Sequence, residues 1–97
     1  MNEFDLKAGG WEENPMHRER AEAVAQNLLD MIPLNGNMKA LEYGAGTGLT
    51  SFILKDKLHD IILMDSSPEM VKVTNEKISS AKASNLKAVL FDLEKIT

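Results

Sequence analysis

Ninety-seven residues with a net charge of −4 and no cysteine bound the chain to one small domain and exclude disulfides and thiolate metal sites. Eleven basic residues are interspersed among fifteen acidic ones, so there is no basic footprint for nucleic acid. With 43% hydrophobic residues, no signal-peptide core and no run of about twenty apolar residues, the chain reads as a core-forming cytoplasmic protein without membrane association.

Residues 1–13 are polar and read as irregular, with Phe4, Leu6 and Trp11 as isolated apolar groups. Asn14-Pro15 starts a helix, because Asn can cap and Pro is tolerated at the first helical position. From Met16 to Ile32, Ala21, Val24, Ala25, Leu28 and Ile32 recur at steps of three and four, the signature of one apolar helix face. Pro33 ends it and Gly36 marks a loop. Met38 to Tyr43 is the first strand, short and largely apolar, as for a strand covered on both faces. A helix follows from Thr47–Leu49 to about Asp56, burying Leu49, Phe52 and Ile53. After the connector Leu58-His59-Asp60, Ile61 to Met64 is the second strand. Ser66-Ser67-Pro68-Glu69 starts the next helix, with Glu69 spaced for a capping box with Ser66. That helix runs to about Ala83 and lines up Val71, Thr74, Ile78 and Ala81. Leu86 to Phe91 is the third strand, closed by Asp92, and a loop follows from Leu93.

A helix followed by strand–helix–strand–helix–strand predicts an α/β fold with a parallel sheet and right-handed crossovers. Ligands of such sheets bind at the carboxyl ends of the strands. The three predicted ends carry Glu42, Asp65 and Asp92, and Gly44, Gly46 and Gly48 follow the first of them. Glycines without a Cβ let a backbone turn sharply and lie close to a ligand, and a helix start lies just beyond. Three acids at three successive strand ends beside that turn point to a nucleotide-type cofactor. The dinucleotide pattern G-x-G-x-x-G fails, because its third position is Leu49. The phosphate-loop pattern fails as well, since no Lys follows the glycines.

What remains, Glu42-Tyr43-Gly44-Ala45-Gly46-Thr47-Gly48, resembles the first motif of class I S-adenosylmethionine (SAM)-dependent methyltransferases. The resemblance implies SAM as the cofactor and a partial Rossmann-like fold. It implies three parallel strands in the order 3-2-1, flanking helices and an extra N-terminal helix. Residues 1–36 would form a lid segment and helix, and residues 37–97 the βαβαβ cofactor half. Glu42 would place the methionine ammonium, with Tyr43, Gly44, Ala45, Gly46 and Gly48 around the methionine end. Asp65, seventeen residues after Gly48, resembles the ribose-binding acid. Ser66 to Met70 would lie near the adenine, with Met70 either on the base face or in the core. Phe91-Asp92-Leu93 resembles the adenine-binding segment, Asp92 accepting from the exocyclic amine and the Leu93 N–H donating to a ring nitrogen. Phe4-Asp5, Trp11, Asn14-Pro15 and His17-Arg18 resemble the N-terminal region of small-molecule methyltransferases of the type 11/12 group. Trp11 would be the lid aromatic there, or an anchor to the core. His17, Arg18 and Arg20 read as a solvated helix face, and His59 as a surface residue.

The resemblance implies a larger sheet than three strands, so the chain reads as the N-terminal half of such a domain. The expected activity is transfer of the SAM methyl group to a small-molecule acceptor by the full-length enzyme, with this portion inactive alone. No catalytic base and no metal ligand are nominated. The alternatives are a non-catalytic SAM-binding or interaction module and an NAD-dependent oxidoreductase; the displaced third glycine speaks against the latter. The outer edge of the first strand, Met38 to Tyr43, is expected to pair with a second copy as a homodimer.

Overall fold

A computed structural model of the chain describes residues 3–92. Helix α1 (Glu3–Lys7) runs into a 3₁₀ stretch (Ala8–Glu13). Helix α2 (Pro15–Met31) follows, with Asn14 Oδ1 accepting from the Met16 N–H at 2.9 Å as its cap. Then come strand β1 (Lys39–Tyr43), helix α3 (Leu49–Leu54) with a 3₁₀ turn (Lys55–Lys57), strand β2 (Asp60–Asp65), helix α4 (Pro68–Ala81) and strand β3 (Leu86–Leu90). The three strands are parallel in the order β1-β2-β3, the predicted sheet viewed from the opposite end. Among the described residues no helix is long and apolar enough to cross a membrane.

Three expectations change. Residues 3–13 are helical rather than irregular, because their side chains bond to the body of the fold, as described below. The cap of α4 is Ser67, not Ser66. Its Oγ accepts from the Met70 N–H at 3.2 Å and it adopts the extended backbone that a cap requires.

The third change concerns coverage of the sheet. Ala40, Ile61, Leu63, Leu86 and Ala88 share one face by register. They pack with Ala25 of α2, Leu54 and Phe52 of α3, and Val71 and Ile78 of α4. On the opposite face Leu41 is 63% and Ile62 41% exposed, so β1 is covered on one face only among the described residues. Right-handed crossovers explain this. Two successive crossovers that advance in the same direction along a sheet lay their helices on the same side.

Candidate functional site

The carboxyl ends of β1 and β2 meet at the glycine loop. The Ala45 N–H donates to the Met64 carbonyl at 3.0 Å, which extends the β1–β2 pairing past the last strand residue. Gly44, Gly46 and Gly48 all have left-handed backbones, with φ of 71°, 59° and 79°. Two of them have a second reason to be glycine. A Cβ on Gly48 would lie 2.5 Å from Leu63 Cδ2, inside the core, and one on Gly46 would lie 3.3 Å from Trp11 Nε1. At Gly44 nothing lies within 4 Å, so that backbone is open.

Two of the three predicted acids are built into this loop. Glu42, on the helix-facing side of β1, accepts a 2.5 Å hydrogen bond from Ser51 Oγ of α3. Burial raises its pKa above the usual carboxylate value; the hydrogen bonds from Ser51 oppose that, and the negative charge of Asp65 adds to it. Asp65, the last residue of β2, accepts from the Gly46 N–H at 2.8 Å with one oxygen and from the Ser67 N–H at 2.9 Å with the other. It therefore ties the loop to the start of α4. Thr74 of α4 makes a second tie, its hydroxyl lying 2.9 Å from the Gly46 carbonyl and 2.7 Å from that of Met70. Asp92 is half-buried beyond β3, next to Phe91, whose N–H donates to the Asp65 carbonyl at 2.9 Å.

The N-terminal segment crosses over this loop and is fastened at two points. Asp5 Oδ1 accepts from Ser67 Oγ at 2.5 Å and from the Glu69 N–H at 3.2 Å, at the positive end of α4. Glu12 accepts from Thr47 Oγ1 at 2.6 Å and is ion-paired with Lys77, whose ammonium also donates to the Thr47 carbonyl and lies over the Phe52 ring. Between these points the Trp11 indole lies against Gly46 and stacks on His17 at 3.7 Å between ring centroids. His17 Nδ1 is 2.8 Å from the Trp11 carbonyl. A carbonyl only accepts, so Nδ1 carries the proton of that bond.

A cavity of about 260 Å³ opens where these parts meet. Trp11, Glu42, Gly44, Ala45 and Gly46 line it, together with residues of α2 and α3. The other predicted site residues are placed differently. Tyr43 points to the uncovered sheet face, edge-on to Phe91 at 6.2 Å. Met70 is 1% exposed and belongs to the interior, the second of its two predicted positions. Gly48 is buried beneath the loop, and Ser66 is exposed beside it. Leu93 lies outside the described residues.

Residues 34–97 match the family model of a methyltransferase domain. The chain belongs to the methyltransferase-domain family. Solved structures agree in fold. A protein of Methanococcus maripaludis provisionally named a SAM-dependent methyltransferase superposes with a TM-score of 0.80 at 19% identity, over 99% of this chain and 46% of its own. A Haloferax volcanii protein provisionally named a methyltransferase, solved in complex with the Trm112 methyltransferase activator, gives 0.76 at 22% identity, over 99% and 42%. The PH0226 protein of Pyrococcus horikoshii gives 0.69 at 27% identity, over 84% and 37%. The methyltransferase domain described here thus spans less than half the length of these solved chains. No curated protein sequence matches it.

Sequence reasoning missed several parts of this methyltransferase domain's site. His17, Arg20, Ala21 and Val24 of α2 and Leu49 and Thr50 of α3 line the cavity, whereas His17 and Arg20 had read as solvated. A signal was present: His17, Arg20, Ala21 and Val24 are spaced i, i+3, i+4, i+7 and so form one helical stripe. For Asp5 and Glu12, whose partners lie 62 or more and 35 or more residues away, no local signal exists.

Proposed function

We propose that this domain is the cofactor-binding portion of a SAM-dependent methyltransferase that acts on a small-molecule acceptor. The observation that carries the reading is that Glu42 and the Gly44–Gly46 backbone line one cavity, with Asp65 bonded to the Gly46 N–H. The residues fit a cofactor that presents an ammonium to Glu42. Glu42 is a half-buried carboxylate whose pKa is raised by desolvation, and an ammonium brought to it relieves that cost. When bound, SAM supplies an electrophilic methyl group on a sulfonium.

The chain's own residues position it. Glu42 receives the ammonium, and Ser51 holds the carboxylate in place. Gly44 and Gly46 let the loop backbone approach the methionine end. Asp65 keeps lone pairs for the ribose hydroxyls while its present bonds hold the loop to α4. Asp92, at the end of the third strand, is assigned to the adenine amine. Trp11 covers the loop and keeps water from one side of the cavity. Methyl transfer depends chiefly on alignment of the two reactants, so these contacts are the domain's contribution.

Competitive equilibrium dialysis with labelled SAM tests the reading. SAM and S-adenosylhomocysteine should displace the label while NAD does not. Displacement by NAD at lower concentration than by SAM would overturn it in favour of an oxidoreductase.

A further inference from the structure

His17 carries an unused lone pair. Its Nδ1–H donates to the Trp11 carbonyl at 2.8 Å, and its ring stacks on the Trp11 indole with centroids 3.7 Å apart and planes 20° from parallel. The carbonyl fixes the tautomer and the stack fixes the ring, so the lone pair of the neutral imidazole sits on Nε2. Nε2 has no hydrogen-bond partner among the described residues. His17 is only half-buried, and among the described residues no buried side-chain nitrogen is left unpaired, so Nε2 reaches accessible space.

Space for a ligand adjoins it. A second cavity, of about 400 Å³, is lined by Leu6, Lys7, Gly10, Trp11, Asn14 and His17, and it shares Trp11 and His17 with the cavity at the glycine loop. His17 thus stands where the two spaces adjoin. Leu6 and Trp11 offer apolar surface, Lys7 and His17 are basic, and no acid lines this cavity among the described residues. Such a lining suits a ring that bears a weakly acidic hydroxyl. The ring takes the apolar part, Nε2 accepts the O–H, and an oxygen anion meets positive rather than negative charge. An ammonium would meet no carboxylate there, and a purely apolar ring would leave Nε2 idle.

We propose that the second cavity takes a phenol-type methyl acceptor and that His17 Nε2 is the base that removes its proton. The inference rests on the SAM reading above and adds to it the chemical class of the acceptor. His17 Nε2 takes the phenolic proton as the oxygen bonds to the SAM methyl carbon. The carbon–sulfur bond breaks, and its electron pair stays on sulfur as a neutral thioether. The imidazolium then releases the proton to water. The Trp11 carbonyl accepts from Nδ1–H throughout, so it orients the base and stabilises the charge that forms on it.

Trp11 is the only tryptophan of the chain, so quenching of its emission reports binding beside His17. Titration of the full chain with 4-nitrophenol and with nitrobenzene, the same ring without the hydroxyl, tests the proposal. 4-Nitrophenol should bind about tenfold more tightly, the value of one good hydrogen bond. Its phenolate absorption band should also grow on binding, at a pH below its own pKa. His17→Phe keeps a ring for the stack but has no base. It should bring 4-nitrophenol down to the affinity of nitrobenzene, abolish the growth of the phenolate band, and leave nitrobenzene binding within about twofold. His17→Gln, which can still donate to the Trp11 carbonyl, should behave likewise. Equal affinity for the two probes in the wild type would overturn the assignment, as would a phenolate band unaltered by either variant. Equal loss of both probes in both variants would overturn it too, since the stack and not the base would then make the site. Equilibrium dialysis of the same protein with labelled SAM separates the two readings. SAM binding without preference for the phenol refutes the acceptor site alone, and absence of SAM binding refutes the cofactor reading and the methyl transfer with it.

Discussion

Alanine placed at each loop glycine in turn separates backbone strain from packing. All three residues have φ between 59° and 79°, so each substitution carries the left-handed penalty of about 1–2 kcal/mol. Reduced freedom of the unfolded chain returns about 0.4–1 kcal/mol. Gly44→Ala meets no atom within 4 Å, so only these two terms apply and the net cost is about 1 kcal/mol. Gly48→Ala puts its Cβ 2.5 Å from Leu63 Cδ2. Leu63 is 1% exposed and packed within the core cluster, so its Cδ2 has no open space to move into. An overpacking cost of about 1–3 kcal/mol is added, for a total near 3 kcal/mol. Gly46→Ala falls between, since the half-buried Trp11 can give by a few tenths of an ångström. Urea unfolding gives the midpoints, with constant m-values as the check that the unfolded state is unchanged. In a domain of this size each kcal/mol also moves Tm by about 4–8 °C. Equal midpoints for the Gly44 and Gly48 variants, or the reverse order, would refute the loop packing against Leu63.

Three further outcomes follow from named contacts. Glu42 has a raised pKa in the folded chain, so below pH 4.5 it is protonated in both states. As the pH rises from there the unfolded chain ionises first, the folded chain binds more protons, and stability is lost through the raised folded pKa. Glu42→Gln lacks that loss, so its stability advantage over wild type should grow from about pH 4.5 upward and then level off, while SAM affinity falls; a difference flat with pH in urea titrations would contradict the buried-carboxylate assignment. Lys77→Met removes the cation that holds Glu12; it should cost about 1 kcal/mol and speed amide hydrogen exchange over residues 8–13, and unchanged exchange there would show that the segment is held by other contacts. Strand β1 stands at the edge of the described sheet with Leu41 63% exposed, so the protein should self-associate at high concentration. Leu41→Lys should shift it toward monomer in sedimentation velocity, and a monomeric wild type would remove that expectation.

Local rules sufficed for the α/β order and for the loop at its centre. Short apolar runs for the strands, a period-3.6 pattern for the helices, Asn14 and Pro68 as helix starts, and glycines where φ is positive are properties of short stretches, so β1, β2, β3, α2 and α4 were legible within a residue or two. Asp65 does end β2, whereas Glu42 precedes the last residue of β1 and Asp92 lies two residues past β3, so local patterns placed the acids near the strand ends to within two residues. Helix α1 and the 3₁₀ stretch after it were not, because their order comes from Asp5 and Glu12 bonding to residues far along the chain. Those bonds exist only once α4 and the glycine loop are in place. The one-sided sheet, the burial of Met70 and the turning of Arg20 into the cavity were likewise settled by how α2, α3 and α4 pack together on one face. Residue types and spacing determined which chemistry this protein carries at its strand ends; packing alone decided which side chains stand around that chemistry, because burial and charge pairing depend on neighbours that no local window contains.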